Sequence, residues 1–161
     1  MVQRTGLPCI ENEDVARLVV AGLAVALLAG CGDETDPART PAGAAQVRFL
    51  DALYNGNLGD AYATLHPAYQ RLVSRKRFVA CTRQTALGGL GSIDVLDVYD
   101  DPVQLPGSGR VPAEAVRIRL TSKSGGSTTF VNHEVKVGSG WRWVLNGAAT
   151  DAYRAGRCPG G

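Results

Sequence analysis

The sequence predicts an α+β domain: three N-terminal helices packed in a curved antiparallel sheet of about four strands, a cone-like arrangement. Three observations carry this. Apolar residues recur at helical spacing in the first half of the domain, up to Thr85. From Ile93 onward they alternate with polar residues instead, between turn-rich connections. The chain has 161 residues, 45% of them apolar and 20% charged, which is one globular domain rather than a disordered segment.

The first helix is read over residues 44–54, with Val47, Leu50 and Leu53 at helical spacing and Phe49 and Tyr54 beside them. Asn55-Gly56-Asn57 stops it. Asp60 is suited to cap a second helix, 61–66, which Pro67 limits. Ser74 is suited to cap a third, from Arg75 to about Thr85, with Phe78, Cys81, Thr82 and Thr85 on one face. The Gly88-Gly89-Leu90-Gly91 stretch reads as a linker rather than a phosphate cradle.

The strands follow in order. Residues 93–99 are largely apolar. Val116, Ile118 and Leu120 alternate with Arg117 and Arg119, the mark of a half-buried strand. Val131, His133, Val135 and Val137 alternate with Asn132, Glu134 and Lys136. Trp141, Trp143 and Leu145 alternate with Arg142, Val144 and Asn146. The stretches 106–110, 122–126 and 138–140 carry the turn residues.

Ahead of the domain lies an address. Leu18 to Gly30 is an uncharged run, LVVAGLAVALLAG. It is shorter than the roughly 20 residues of a spanning helix and fits the core of a secretory signal. It ends in Leu28-Ala29-Gly30-Cys31, which resembles the bacterial lipobox. That resemblance implies cleavage between Gly30 and Cys31, lipidation (diacylglycerol and palmitate-type chains) on Cys31, and a cell-membrane anchor at the extracytoplasmic face. The competing reading is a buried apolar helix that ends in Cys. Glu11, Glu13 and Asp14 precede the run where a signal is normally basic. The expected true start is therefore Val15, leaving Arg17 as the basic residue. Arginine outnumbers lysine 14 to 3, which fits a GC-rich genome of the actinobacterial kind. The expected organisation is a signal peptide over 1–30, a lipidated tether over 31–43 and a domain over 44–161.

After cleavage the cysteines are Cys31, Cys81 and Cys158. With Cys31 lipidated in an oxidising compartment, Cys81 and Cys158 are the natural disulfide pair. The bond would close a long loop, an effect of roughly 4–5 kcal/mol on the chain-entropy account. Two separate buried thiols are the alternative. Ligand spacing for a metal is absent, and no cofactor is expected.

The helix–break–helix stretch QVRFLDALYNGNLGDAYATLHPAY and the terminal GWRWVLNG resemble the nuclear transport factor 2-like (cystatin-like) superfamily, over about residues 44–150. The resemblance implies the cone-like fold, and homodimers are common among such proteins. It does not choose a function, because the superfamily includes ketosteroid isomerases, polyketide cyclases, dehydratases, transport factors and secreted lipoproteins. Isomerase-like members are implied to use a helix-1 tyrosine after an arginine. Here Arg48 is followed by Phe49, so the hydroxyl is missing. They are also implied to use an aspartate soon after the second helix, yet no Asp or Glu occurs from Ala61 to Ile93.

Two histidines remain as candidates for cyclase- or dehydratase-like chemistry. His133 lies on the apolar side of its strand and would face the pocket; a core or rim histidine bonded to a neighbour is the competing reading. His66 precedes Pro67 and reads as a helix C-terminal residue facing the macrodipole. Tyr62, Tyr99, His133, Trp141 and Trp143 are the pocket candidates for a small apolar ligand, or else they fill the core. Arg71, Arg75, Lys76 and Arg77 form a basic cluster suited to anionic lipid headgroups or an acidic wall polymer, or else a solvated face. The net charge of +2 argues against nucleic acid. The sequence thus predicts a lipid-anchored, non-enzymatic binding or interaction module whose partner is an envelope protein or a small apolar ligand, with the pocket enzyme as the alternative.

Overall fold

The computed structural model describes residues 36–84 and 89–160. The signal, the cleavage site at Gly30 and Cys31, the start at Val15 and Thr85 all lie outside the described residues. The domain is α+β. Helices α1 (Pro41–Tyr54), α2 (Leu58–Ala63), α3 (Pro67–Leu72) and α4 (Arg75–Gln84) come first. Strands β1 (Leu90–Asp100), β2 (Val103–Leu105), β3 (Gly109–Val111), β4 (Glu114–Ser122), β5 (Ser127–Val137) and β6 (Gly140–Trp143) follow, and helix α5 (Gly147–Arg154) closes the order. The main sheet is antiparallel in the order β1-β4-β5-β6, while β2 and β3 form a separate hairpin.

The helices correct the expectation in four places. The expected tether is partly folded: Pro37–Arg39 form a 3-10 turn, and Thr40 caps α1 by accepting from the Gly43 amide at 3.0 Å. Gly43 is required there, since a Cβ would collide with the Pro37 carbonyl. Helix α2 starts earlier than expected, which puts Asp60 in its first turn rather than at its cap. Pro67 does not merely end a helix; it begins α3, as proline does at a first helical position. His66 is accordingly an N-cap, not a C-terminal residue, and its Nδ1 accepts from the Ala68 amide at 3.1 Å. The fourth correction is α5, capped by Asn146 Oδ1 accepting from Ala149 N at 2.8 Å. At eight residues it is shorter than the stretch over which helical periodicity is read. Ser74 caps α4 as expected, its hydroxyl accepting from Arg77 N at 3.4 Å.

Cys81 and Cys158 are joined, with Cα atoms 5.2 Å apart. The bond fixes the C-terminal tail to α4. Arg77 adds a second tie: its Nη2 donates to the Arg157 carbonyl at 3.3 Å, and its guanidinium lies over the Tyr153 ring.

The two faces of the sheet follow from one contact. Phe49 of α1 stacks on Trp143 of β6 at 4.1 Å between ring centroids. Trp143 pairs across with Glu134, Glu134 with Glu114, and Glu114 with Asp100. Directly paired residues share a face. The helix-facing side therefore carries Val116, Ile118 and Phe130, but also Asn132 and Glu134. The other, outer side carries Tyr99, Ala115 and His133, which form one cross-strand row. The link between α2 and α3 joins the sheet too: Leu65 bridges Trp143, with His66 N donating to Trp143 O at 2.9 Å.

Candidate functional site

The alternation of β5 reads with the apolar set inward, yet the register turns it over. Val131 is 39% exposed, whereas Glu134 is 1% exposed on the helix side. His133 is thereby moved to the outer face. It does not enter a cone between the N-terminal helices and the sheet; it lines a cleft of about 630 Å³ that opens between β5, the β2 segment and residues of α3 and α5.

That cleft is built by three elements. The segment Asp101–Gly107, including β2, forms one wall, β5 contributes Val131–His133, and α5 contributes Thr150, Asp151 and Arg154. Val103, Leu105, Val144 and Leu145 give it an apolar floor. Convergent polar groups on an apolar surface are the usual make-up of a small-molecule site. His133 Nε2 lies 2.8 Å from Asp101 Oδ2, a side-chain pair across the cleft wall. Asp101 is held in place by its own backbone amide, which donates to Ala113 O at 2.9 Å. Tyr69 of α3 reaches the same cleft while buried, and burial pushes its hydroxyl pKa up. Asp151 is engaged by Arg154 at 3.6 Å.

A second cavity, about 210 Å³, lies on the helix side. Its lining is mostly apolar and includes Phe49, Phe78, Trp143 and Tyr153, with the Cys81 end of the disulfide and Pro159 at its margin.

The helix side also buries two polar side chains. Gln46 is 0% exposed and Glu134 1%, and none of their side-chain N and O atoms has a hydrogen-bond partner among the described residues. Burial pushes the Glu134 carboxyl up to about 8, against the pull of Arg48 and Arg142. It is therefore a neutral acid at neutral pH, the form that an apolar surround favours.

The remaining expected residues separate. Trp143 fills the interior and donates from Nε1 to Ala61 O at 3.4 Å. Tyr62 is also structural: its hydroxyl lies 3.2 and 3.0 Å from the carbonyls of Gln70 and Val73. Trp141 packs at the edge of the core, and Tyr99 is 43% exposed on the outer face. The five pocket candidates are thus not one group; among them only His133 lines the larger cleft and only Trp143 the smaller cavity. His66 is occupied as an N-cap, its pKa lowered by burial and then by Arg71 and Arg142. Arg71, Arg75 and Lys76 are exposed, whereas Arg77 is committed to the tail. The guanidinium of Arg75 lies over Gly59, where a Cβ would overlap it.

Sequence reasoning missed Asp101, Glu134 and Gln46. For Asp101 the signal was a second carboxylate after Asp100 at a strand end; for Glu134 and Gln46 the sequence carried none, because burial there follows from strand register and helix facing. No group of three or more His, Cys, Asp or Glu among the described residues is arranged to hold a metal ion. No helix among them is long and apolar enough to cross a membrane.

Comparison with protein-family models, with curated proteins and with solved structures gives no match in any of the three.

Proposed function

We propose that the chain is an extracytoplasmic lipoprotein, anchored through Cys31, whose domain is a binding module for a small molecule held in the His133–Asp101 cleft. The supporting observation is the contrast between the two sides of the sheet. The helix side keeps only about 210 Å³ beside the Phe49–Trp143 stack, whereas the outer cleft keeps about 630 Å³ with a paired histidine and aspartate on its wall. We read the architecture as helices packed in a curved sheet of the nuclear transport factor 2-like kind. On this reading the larger ligand space is the His133–Asp101 cleft rather than the interior between helices and sheet. From Cys31 to the 3-10 turn at Pro37, five intervening residues reach roughly 18 Å. The anchored domain thus stays close to the lipid surface.

The test is native mass spectrometry of protein extracted from its own membranes, beside the Asp101→Ala variant. A small molecule retained by the parent and lost from the variant supports the cleft. Equal retention by both removes it. The covalent mass tests cleavage before Cys31 and its lipids.

One observation favours a second reading, a small pocket enzyme. A histidine held by a carboxylate through one ring nitrogen is oriented to use the other as a base. Conversion of a retained molecule by the parent, but not by a folded His133→Ala variant, would select this reading. An unaltered mass over time selects binding alone.

A further inference from the structure

The two cavities are not independent. Asn132, Val144, Leu145 and Asn146 line both of them. The topology explains why. Strand β6 ends at Trp143, paired with Glu134; Val144 N still donates to His133 O at 3.1 Å, and β5 runs on through Asn132 and Val131 without it. The chain then leaves the sheet through Val144–Asn146 to enter α5. Beyond His133, at Asn132, the outer and helix sides come together at the edge of β5.

The two spaces differ in kind and size. The outer cleft carries Asp101, His133 and Gln104, whereas the inner cavity is walled by Phe49, Phe78 and Trp143. At about 210 Å³ the inner cavity falls below the roughly 300–1,000 Å³ of a self-sufficient small-molecule site. It has the character of an annex to the larger cleft.

Resting on the binding reading above, we infer that the ligand is an amphiphile: an uncharged, hydroxyl-bearing head in the outer cleft and one short apolar chain in the inner cavity, draped over Asn132 and Asn146. The head chemistry follows from the charges. Asp101 offers a carboxylate, and Gln104 and Asn132 offer amides, all suited to hydroxyl groups. A carboxylate or phosphate head would face Asp101, and the nearby Arg154 is already engaged by Asp151. The chain gains by leaving water for an aromatic wall.

The experiment uses three probes on the folded, unlipidated domain, followed by calorimetry and tryptophan fluorescence. They are octyl glucoside below its micelle-forming concentration, glucose, and octanoate. Octyl glucoside is expected to bind saturably, at least about tenfold tighter than either fragment, because only it uses both spaces. Ala149→Trp, which fills the inner cavity, should reduce octyl glucoside to the affinity of glucose. Thr82→Phe fills it from the α4 side and should act alike should the first variant fail to fold. Asp101→Ala should weaken octyl glucoside and glucose together.

Octyl glucoside binding no tighter than glucose, with glucose still dependent on Asp101, overturns the amphiphile and leaves the cleft standing. Octanoate binding as well as octyl glucoside overturns the uncharged head. Binding of all three unchanged by Asp101→Ala overturns the cleft itself, and the amphiphile with it.

Discussion

His133 Nε2 and Asp101 Oδ2 lie 2.8 Å apart and join β5 to the segment that leads from β1 into β2. The pair fixes one wall of the outer cleft. Both side chains are partly solvent-exposed, so the contact is worth about 0.5–1.5 kcal/mol rather than the larger value of a buried pair. Asp101→Ala is expected to lower stability by that amount in urea unfolding and to move the ring signals of His133 in an NMR spectrum. Unmoved ring signals would mean that the two side chains do not meet in solution.

Glu134 sets a pH dependence. Its carboxyl is raised from 4.5 to about 8 by burial, so the folded chain keeps a proton that the unfolded chain releases across that window. Stability therefore falls as pH rises from about 4.5 to about 8, by up to roughly 1.4 kcal/mol per pH unit. Glu134→Gln keeps the shape of the neutral acid and removes the titration. Urea midpoints should slope downward with pH in the parent and less so in the variant. Parallel slopes would show that another group carries the effect.

The Cys81–Cys158 bond spans 77 residues and holds the tail against α4. Replacing both cysteines by serine is expected to cost about 2–5 kcal/mol. Hydrogen exchange should quicken first in residues 158–160, which lie beyond the amides of Ala155, Gly156 and Arg157 that donate back to α5. Unchanged exchange there would show that packing alone secures the tail.

Phe49 is the hinge of the interior, stacked on Trp143 and buried beneath α1. Phe49→Ala should cost about 3–5 kcal/mol, through lost burial and the cavity left behind. Phe49→Leu should cost less, since it fills more of the space. Equal losses for the two variants would point to the ring stack itself.

The basic cluster gives a prediction for the membrane. Arg75→Glu with Lys76→Glu should weaken binding of the unlipidated domain to anionic vesicles, each residue near the surface being worth about 1 kcal/mol. Arg77 is unsuited to this test because it holds the tail. Vesicle binding that survives both reversals would make the cluster a solvated face.

Much of the fold was legible in local chemistry. Ser74 as a cap, the Asn55-Gly56 break and the turn at Gly138, whose φ is +60°, depend on a few neighbouring atoms. Helix α1 was legible in position but not in facing. The sequence offers Val47, Leu50 and Leu53, while the buried set is Ala42, Ala45, Gln46, Phe49 and Leu50. A buried glutamine and small alanines have no apolar signature, so only the packed sheet reveals them. Pro67 was ambiguous for a related reason: a proline that ends one helix can begin the next, and the choice depends on where the chain goes afterwards.

By itself, the sequence placed the N-terminal helices ahead of the sheet, offered Cys81 and Cys158 as the natural disulfide pair and put a basic cluster near Arg75, while α5 after the strands escaped it. Each of these depends on period, spacing or charge along the chain. Tertiary structure alone decided which side of β5 faces the helices. A strand alternates with a period of two, so a single step of register exchanges its faces. Pairing of Glu134 with Trp143 put the carboxylate inside and His133 outside, against the apolar alternation. The outward apolar side remains stable because Val103 and Leu105 from β2 line the same cleft, giving that face a second covering. The contact of His133 with Asp101 likewise needed β5 and the end of β1 to be brought together, 32 residues apart in the chain.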